Sequence, residues 1–211
     1  MRIMQEAPKV SGKRKFASKL KCYMTLLADV LSKMKSHLIL QPFDHDYDFL
    51  EEISVNSTLL FKIRKVEILP RKNFPETLLL SPRSLLAKFL MKKKKMVYLD
   101  DLMKELRGQF SYNLEKMVLA IIPHFILGFG ENFIGLTLEH GISIVSTYGL
   151  GGKYFSKACV GISLHEIGHN LGLKHCGNKD CLMKAPCKPK NFHKGTYQLC
   201  KDHERILSLI L

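Results

Sequence analysis

Hydrophobic and polar positions recur along the chain with two periods, one of about 3.6 residues and one of about two, which distinguish helices from strands. Apolar residues at helical spacing predict a helix over 13–36. A short strand that ends near Pro42 and a helix over about 46–55 are predicted to follow. The stretch 57–70, in which polar and apolar residues partly alternate, predicts the next strand.

The same two periods continue as far as Gly172. Residues 83–106 have the composition of a helix. The segments "MVLAII" (117–122) and "GISIVSTYG" (141–149) predict a buried strand and an alternating strand. Glycine, proline, cysteine and lysine then dominate until a final predicted helix at about 200–210. The alternation of strands and helices predicts an α/β (α+β) fold followed by a loop-rich segment.

We therefore expect three segments along the chain. Residues 1–36 form a basic N-terminal extension, which is predicted to be helical. Residues 37–172 form the main α/β subdomain, and residues 173–211 form a C-terminal subdomain. The C-terminal subdomain is too small and too rich in lysine, proline and glycine to bury a core unaided. A bound metal ion would supply the missing stability.

The composition is that of an ordinary globular protein, with 46% hydrophobic and 25% charged residues among 211. Thirty-three Lys and Arg against 19 Asp and Glu give a formal net charge of +14. Such a charge would attract nucleic acid, anionic membranes or acidic peptides. The basic residues are dispersed apart from Lys92–Lys95, taken as a solvent-facing insertion, and the N-terminal stretch, and no RNA-binding signature accompanies them. We interpret them as solvated basic faces.

The sequence predicts neither a membrane protein nor a secreted one. The apolar stretch 119–138 is interrupted by Pro123, His124 and Glu131, so it is not expected to span a bilayer. No cleavage site for a secretory signal follows the first 36 residues, and an organelle presequence remains a second interpretation of them. Four of the six cysteines lie among histidines, which favours metal binding over disulfides and a reducing, cytoplasmic location. We expect a monomer.

The stretch "HEIGHNLGLKHC" has the spacing of a metal site on a helix. A helix over 156–171, with Ser156 as its N-cap, places His165 and His169 one turn apart on the same side. Both imidazoles can then reach one zinc ion at about 2.0–2.1 Å. Glu166 lies beside the first histidine, where its carboxylate can reach a water at the metal without binding the metal.

The residues after this helix supply a third histidine. Gly172 allows the helix to end in a left-handed turn, and that turn can bring His175 back under the helix. Three histidines leave a fourth metal position open to water and substrate. The alternative is a chance HExxH match whose histidines are exposed or satisfied in the core. Gly172 and His175, in place together, favour a catalytic zinc site.

A second group of cysteines and histidines crowds the last quarter of the chain. Two pairs of soft ligands separated by a loop are typical of a closed structural zinc site. The predicted ligands are Cys176, Cys181, Cys200 and His203. Cys187 and His193 are rivals for the fourth position, because a flexible loop could present either of them.

These C-terminal motifs resemble those of a known family. "HEIGHNLGLKHC" (165–176), "CLM" (181–183) and the late pair Cys200 and His203 are similar to the extended signature of the archaemetzincins, a metzincin-clan group of zinc metallopeptidases. The resemblance covers about residues 37–211. It implies a metzincin-like mixed twisted sheet with packed helices, an active-site helix in a catalytic main subdomain, and a small C-terminal subdomain held together by zinc.

The resemblance also implies a role for each matching residue. The catalytic zinc would be bound by His165, His169 and His175, with Glu166 as the general base. Met183 would be the Met-turn residue beneath the zinc ligands, and the second zinc would be bound by Cys176, Cys181 and Cys200. His203 stands where the family usually has cysteine. An extended substrate would pair with an edge strand formed by Ile142, Ser143, Ile144, Val145 and Ser146.

The expected function is therefore that of a zinc-dependent metallopeptidase with two Zn²⁺ ions per chain. Its substrate would be a peptide, hydrolysed by zinc-activated water with Glu166 as the base, and aminopeptidase action on short peptides is what the family suggests. The alternative is a non-enzymatic zinc module that binds an acidic partner such as nucleic acid through its basic surface. A third possibility is a pseudo-protease that binds peptides without cleaving them.

Overall fold

The computed structural model describes residues 36–79, 96–110, 115–127, 134–138 and 141–210. Except for its last residue, the helix predicted over 13–36 lies outside these stretches, as does the lysine run Lys92–Lys95. The division into three segments stays a prediction. No helix within the described stretches is both long and apolar enough to cross a membrane.

Seven strands form two sheets in the described part of the chain. The strands are β1 (His37–Pro42), β2 (Lys65–Ile68), β3 (Met96–Tyr98), β4 (Lys116–Ile122), β5 (Phe125–Leu127), β6 (Gly135–Leu138) and β7 (Ile142–Ser146). The large sheet has the order β2-β1-β4-β7-β6, in which β6 is antiparallel to β7 and all other pairs are parallel. A small parallel sheet joins β3 to β5.

Four α-helices accompany the sheets in the described residues. They are α1 (Leu50–Phe61), α2 (Leu99–Gln109), α3 (Phe155–Asn170) and α4 (Lys201–Ile210). Two short 3₁₀ turns, Glu76–Leu78 and Pro189–Phe192, lie in the connecting segments. The predicted mixed α/β fold is confirmed.

The large sheet separates two hydrophobic cores. Alternate residues of β4 contribute to each: Met117 and Ile121 belong to the core with α1 and α3, and Ala120 and Ile122 to the core with α2. A strand with helices on both faces is buried on both sides, which explains why β4 is an almost unbroken apolar run. The sheet thus holds α3, the helix of the HExxH motif, against one face.

The strand predicted over 57–70 is mostly wrong. Residues 57–61 belong to α1, and the strand is confined to Lys65–Ile68. The buried residues Ile53, Ser57 and Phe61 recur every four positions, so the helical period decides the structure of this stretch. Lys62 ends the helix with a left-handed backbone (φ 55°), and its N–H donates to the carbonyl of Thr58.

The prediction that Ile142–Ser146 forms an edge strand is also wrong. This segment, β7, pairs with β4 on one side and with β6 on the other, and all five of its residues are buried. Its N–H and C=O groups are used within the sheet, so they cannot pair with a substrate. The edge of the sheet next to α3 is β6 instead.

The helix α3 is packed so closely that it depends on a glycine. A Cβ at Gly161 would overlap the ring of Phe192 in the 3₁₀ turn Pro189–Phe192. The variant Gly161→Ala is expected to lower the free energy of unfolding by about 1–3 kcal/mol, because overpacking outweighs the better helix propensity of alanine. Urea denaturation of both proteins measures the difference.

The control for this prediction removes the clashing ring. In a Phe192→Ala background, the change Gly161→Ala is expected to be neutral or stabilising. An equal cost in both backgrounds would show that the clash with Phe192 is not its origin.

Candidate active site and second metal site

Three histidine side chains converge on one point at the C-terminal end of α3. The Nε2 atom of His169 lies 3.1 Å from Nε2 of His165 and 3.1 Å from Nε2 of His175, and the third Nε2 pair is 3.3 Å apart. Nitrogen ligands at about 2.0–2.1 Å around a tetrahedral zinc ion would be separated by about 3.3–3.4 Å. The three rings are therefore already spaced as zinc ligands.

The hydrogen bonds of the rings leave these Nε2 atoms free to bind a cation. Nδ1 of His165 donates to the carbonyl of Leu182, and Nδ1 of His169 donates to that of Leu173, both at 2.8 Å. A neutral imidazole that donates from Nδ1 carries its lone pair on Nε2. Burial lowers the pKa of His165 to about 4 and also lowers the pKa of His169, so both rings are neutral at pH 7. Converging lone pairs of this kind fit a zinc ion.

The end of α3 brings the third histidine into place. Gly172 has a left-handed backbone (φ 89°), and its N–H donates to the carbonyl of His169. The N–H of Leu173 donates to the carbonyl of Gly168, which completes a Schellman motif. The chain reverses at Gly172 and brings His175 back to the helix, as the sequence predicts.

The start of α3 differs from the prediction. The N-cap is Tyr154, and Ser156 lies inside the first turn, where no side chain caps the helix. The helix is held by burial instead, since nearly all residues from Ala158 to Asn170 are buried.

Met183 packs directly under the histidine site. Its side chain is fully buried, and a Cβ at Gly168 would come within 2.5 Å of its sulfur. The backbone on either side is tied to the site: the carbonyl of Met183 accepts from the N–H of Cys176, and the carbonyl of Leu182 holds His165. This is the position expected of a Met-turn residue, whose role stays a prediction.

Glu166 is buried between α3 and the edge strand β6, with 5% of its surface exposed. Its Oε2 accepts a 2.6 Å hydrogen bond from the hydroxyl of Thr137. Burial raises the pKa of Glu166 to about 7, and the Thr137 hydrogen bond opposes this rise. A carboxyl group with a pKa in this range suits a residue that both accepts and returns a proton.

Sequence reasoning missed the residues that hold Glu166. Thr137 comes from β6, 29 residues before the glutamate, and Asn170, on α3, is joined to β7 through Ser143. No local spacing connects these residues to the motif. Only the pairing of β6 with β7 beside α3 brings them together.

The predicted second cluster is also assembled. Its ligand atoms lie within 4.8 Å of one another and belong to Cys176, Cys181, Cys200 and His203. Nε2 of His203 donates to the carbonyl of Lys174 at 2.9 Å, which leaves Nδ1 free to bind a metal. Nδ1 lies 3.2 Å from the sulfur of Cys200 and 3.5 Å from that of Cys181. Ligands of a tetrahedral zinc would be about 3.6 Å apart, so this donor set also fits zinc.

The environment of the two sulfur atoms favours a bound cation. The sulfur of Cys181 accepts backbone N–H groups from Met183 and Cys200, each at 3.4 Å. Burial nevertheless raises the pKa of Cys181, so its thiolate needs a nearby positive charge. The backbone N–H of His203 lowers the pKa of Cys200 to about 7. A divalent cation among them would compensate the buried negative charge.

The two rival ligands lie elsewhere. Cys187 packs against the main core, where burial and then the charge of Glu166 raise the pKa of its thiol to about 12. His193 stacks on Tyr154 with ring centroids 4.4 Å apart. The structure therefore brings His203, and neither rival, into the four-residue cluster.

Because His203 belongs to the cluster and Cys187 does not, variants of the two residues should differ in metal content. His203→Ala is expected to remove one zinc per chain, because it deletes a ligand of the cluster, whereas Cys187→Ser is expected to keep the wild-type content. Plasma mass spectrometry of the purified variants measures both. Zinc loss from Cys187→Ser with full retention in His203→Ala would reverse the assignment.

Three ring nitrogens on and beside an HExxH helix, next to a mixed sheet, are the arrangement of the zinc metallopeptidase class. A family model described as Peptidase family M54 matches residues 71–208, more than half of the chain. The chain belongs to this family, the archaemetzincin family. The predicted resemblance is thereby confirmed, and membership supports classification as a zinc metallopeptidase, a hydrolase.

A curated relative agrees with this family. The protein named Archaemetzincin from Haloarcula marismortui is 35% identical over 101 residues. The match covers 41% of this chain and spans 58% of the length of that relative.

Solved structures share the fold. The archaemetzincin from Methanopyrus kandleri superposes with a TM-score of 0.62 at 19% identity, over 84% of this chain and 96% of that chain. The archaemetzincin from Archaeoglobus fulgidus, complexed with malonate, gives 0.56 at 19% identity, over 80% and 98%. A zinc-dependent peptidase from Methanocorpusculum labreanum gives 0.55 at 21% identity, over 81% and 98%. At these identities the likeness concerns the fold alone.

Proposed function

We propose that this chain is a zinc-dependent peptidase that hydrolyses peptide bonds in short peptides. The observation that carries the proposal is the convergence of three Nε2 atoms within 3.3 Å, with Glu166 on the same helix as two of them. Such a site holds a metal by three protein ligands and leaves one position for the reaction.

Within this proposal, the residues of the chain have separate tasks. His165, His169 and His175 would hold a zinc ion, which when bound supplies Lewis acidity toward water and the peptide carbonyl. Glu166 accepts a proton from the attacking water as the new C–O bond forms. It returns this proton to the amine as the C–N bond breaks.

The substrate is proposed to pair with β6. Among the described residues β6 pairs only with β7, and the proposal places an extended peptide on its other side. The edge offers four residues, Gly135–Leu138, which is enough for a few backbone hydrogen bonds. A short edge supports the proposal of short substrates and aminopeptidase action.

We propose two zinc ions per chain. The second would be structural, because four protein ligands close its coordination. Its donors are those of the cluster formed by Cys176, Cys181, Cys200 and His203.

The second candidate function is a zinc module that binds an anionic partner. Its support is a cavity of about 570 Å³ in the C-terminal subdomain, lined by Lys179, Lys184, Lys190 and Lys194. Asp180 is the acidic residue in this lining. Binding there would weaken steeply with salt, whereas peptide cleavage would depend on chelators and on Glu166.

The test combines metal content with hydrolysis. Zinc is measured in the wild type and in His169→Ala purified without added metal, and two short fluorogenic peptides are offered, one with a free N-terminus and one N-acetylated. About two zinc ions falling to about one, with chelator-sensitive cleavage of the free peptide, supports the proposal. Cleavage of both peptides alike would contradict aminopeptidase action. One zinc ion in both proteins and no cleavage favours the binding module.

A further inference from the structure

We propose that Thr137 is the positioning residue of the general base, at the end of a buried chain of hydrogen bonds. The chain consists of Asn170, Ser143, Thr137 and Glu166. This inference rests on the proposed function, because it concerns how Glu166 is held for proton transfer.

These hydrogen bonds can all run in one direction, from Asn170 to Glu166. The amide Nδ2 of Asn170 can only donate, and it lies 2.6 Å from the hydroxyl oxygen of Ser143. Ser143 therefore accepts this bond and can pass its own proton to the hydroxyl of Thr137, 2.9 Å away. The proton of Thr137 then points to Oε2 of Glu166 at 2.6 Å. The two hydroxyls each accept one bond and donate one, and the series ends on the carboxylate.

The same hydroxyls also lie close to the backbone of α3. The carbonyl of Glu166 is 2.9 Å from the hydroxyl of Thr137 and 3.4 Å from that of Ser143. Each hydroxyl has one proton, so when the bonds run from Asn170 to Glu166 the carbonyl of Glu166 is a close neighbour of both hydroxyls and the hydrogen bond to the glutamate goes to its side chain. The short O–H···O distance to Oε2 is typical of a hydrogen bond to a charged acceptor, the stronger kind.

Burial makes these hydrogen bonds important for holding Glu166. Ser143 is fully buried, and Asn170 has 2% of its surface exposed, so water does not replace the hydrogen bonds if they are lost. Strand β6 also leaves the carboxylate of Glu166 no room to move toward it, because a Cβ at Gly135 would lie 2.5 Å from Oε1. Thr137 thus holds the carboxylate through Oε2, and Oε1 lies against the backbone of Gly135.

This arrangement assigns a different role to each carboxylate oxygen. Oε2 is anchored by Thr137, and within the proposal Oε1, which does not accept this hydrogen bond, exchanges the proton with water. Thr137 also belongs to β6, the strand proposed to pair with the substrate. One strand therefore fixes the position of the base relative to the peptide, and orientation of this kind contributes directly to kcat.

The test compares Thr137→Val, which keeps the shape and removes the hydroxyl, with Thr137→Ser, which keeps the hydroxyl. Thr137→Val is expected to lower kcat by about 10- to 100-fold, with KM and zinc content close to wild type. Thr137→Ser is expected to recover kcat to within about threefold of wild type. Thr58→Val, on the exposed side of α1, is the matched control and should leave kcat unchanged.

Three results would overturn the assignment: full activity in Thr137→Val, equal loss in the valine and serine variants, or loss of zinc from Thr137→Val. The last two would assign Thr137 to packing instead.

A second readout does not need activity. In the wild type the hydroxyl proton of Thr137 is expected to exchange slowly with water and to show NMR contacts to the side chain of Glu166. If the wild type cleaves no peptide, the proposed function fails, and this signal alone decides the positioning. A protected proton beside Glu166 would support the hydrogen bond, and its absence would overturn it.

Discussion

Glu166→Gln is expected to lower kcat/KM for peptide hydrolysis by about 10²- to 10⁴-fold, with the zinc content of the wild type. The amide has the shape of the carboxylate, and its oxygen can still accept the hydrogen bond from Thr137. It cannot accept a proton from water at neutral pH. The loss therefore isolates proton transfer from packing and from metal binding.

The control for this variant is Glu51→Gln, on the exposed face of α1, which removes the same charge far from the histidines. Initial rates with a short free-N-terminus peptide and zinc analysis on the same samples give the comparison. A rate near that of the wild type in a Glu166→Gln protein with full zinc would remove Glu166 from the mechanism. Loss of zinc would instead give Glu166 a structural role.

The parts of the fold that the sequence predicts well are those with strong local signals. The buried strand β4, the final helix α4 and the end of α3 at Gly172 each depend on a nearby run or spacing. His165 and His169 converge because residues four apart on a helix share a face, whatever the rest of the chain does.

Stretch 57–70 could not be predicted because its polar and apolar residues partly alternate, as in a strand, whereas their burial follows the helical period. A strand would place Leu59 and Phe61 on the same face, yet Phe61 is buried and Leu59 is 63% exposed. Contact with α3 and the sheet selects the helix, and the left-handed Lys62 separates it from β2. Tertiary packing thus overrides the local pattern.

The missed parts of the site depend on which strand forms the edge. The family resemblance implies an edge strand at Ile142–Ser146, but it does not reveal that β6 pairs with the far side of this strand. Thr137 meets Glu166 only through this antiparallel pairing. In the second cluster, the spacing from Cys200 predicts His203, whereas only the path of the loop excludes Cys187.

The second metal site has a larger expected effect on stability than any single contact of residues 173–211. Regular structure between Leu173 and Cys200 is limited to the 3₁₀ turn Pro189–Phe192 and an isolated bridge between Cys176 and Lys184, so no α-helix or sheet of its own holds this segment. Cys181→Ser is expected to remove one zinc and to lower the free energy of unfolding by at least about 3 kcal/mol, because structural zinc contributes its binding energy to folding.

The effect should extend to the histidine site. The residue after Cys181 is Leu182, whose carbonyl orients His165, and the next is Met183, packed under α3. Loosening this segment frees the His165 ring, so zinc at the histidine site is expected to bind about 10- to 100-fold more weakly in Cys181→Ser. Competition with a calibrated chelator measures this affinity, and urea denaturation measures the stability.

Cys187→Ser is the matched control, since it removes a thiol six residues after Cys181 that is not part of the cluster. It is expected to keep both zinc ions and the chelator resistance of the wild type. If Cys181→Ser lost one zinc while the affinity of the histidine site stayed unchanged, the two sites would be independent. The carbonyl of Leu182 would then orient His165 without help from the second metal, and the second metal site would serve stability alone.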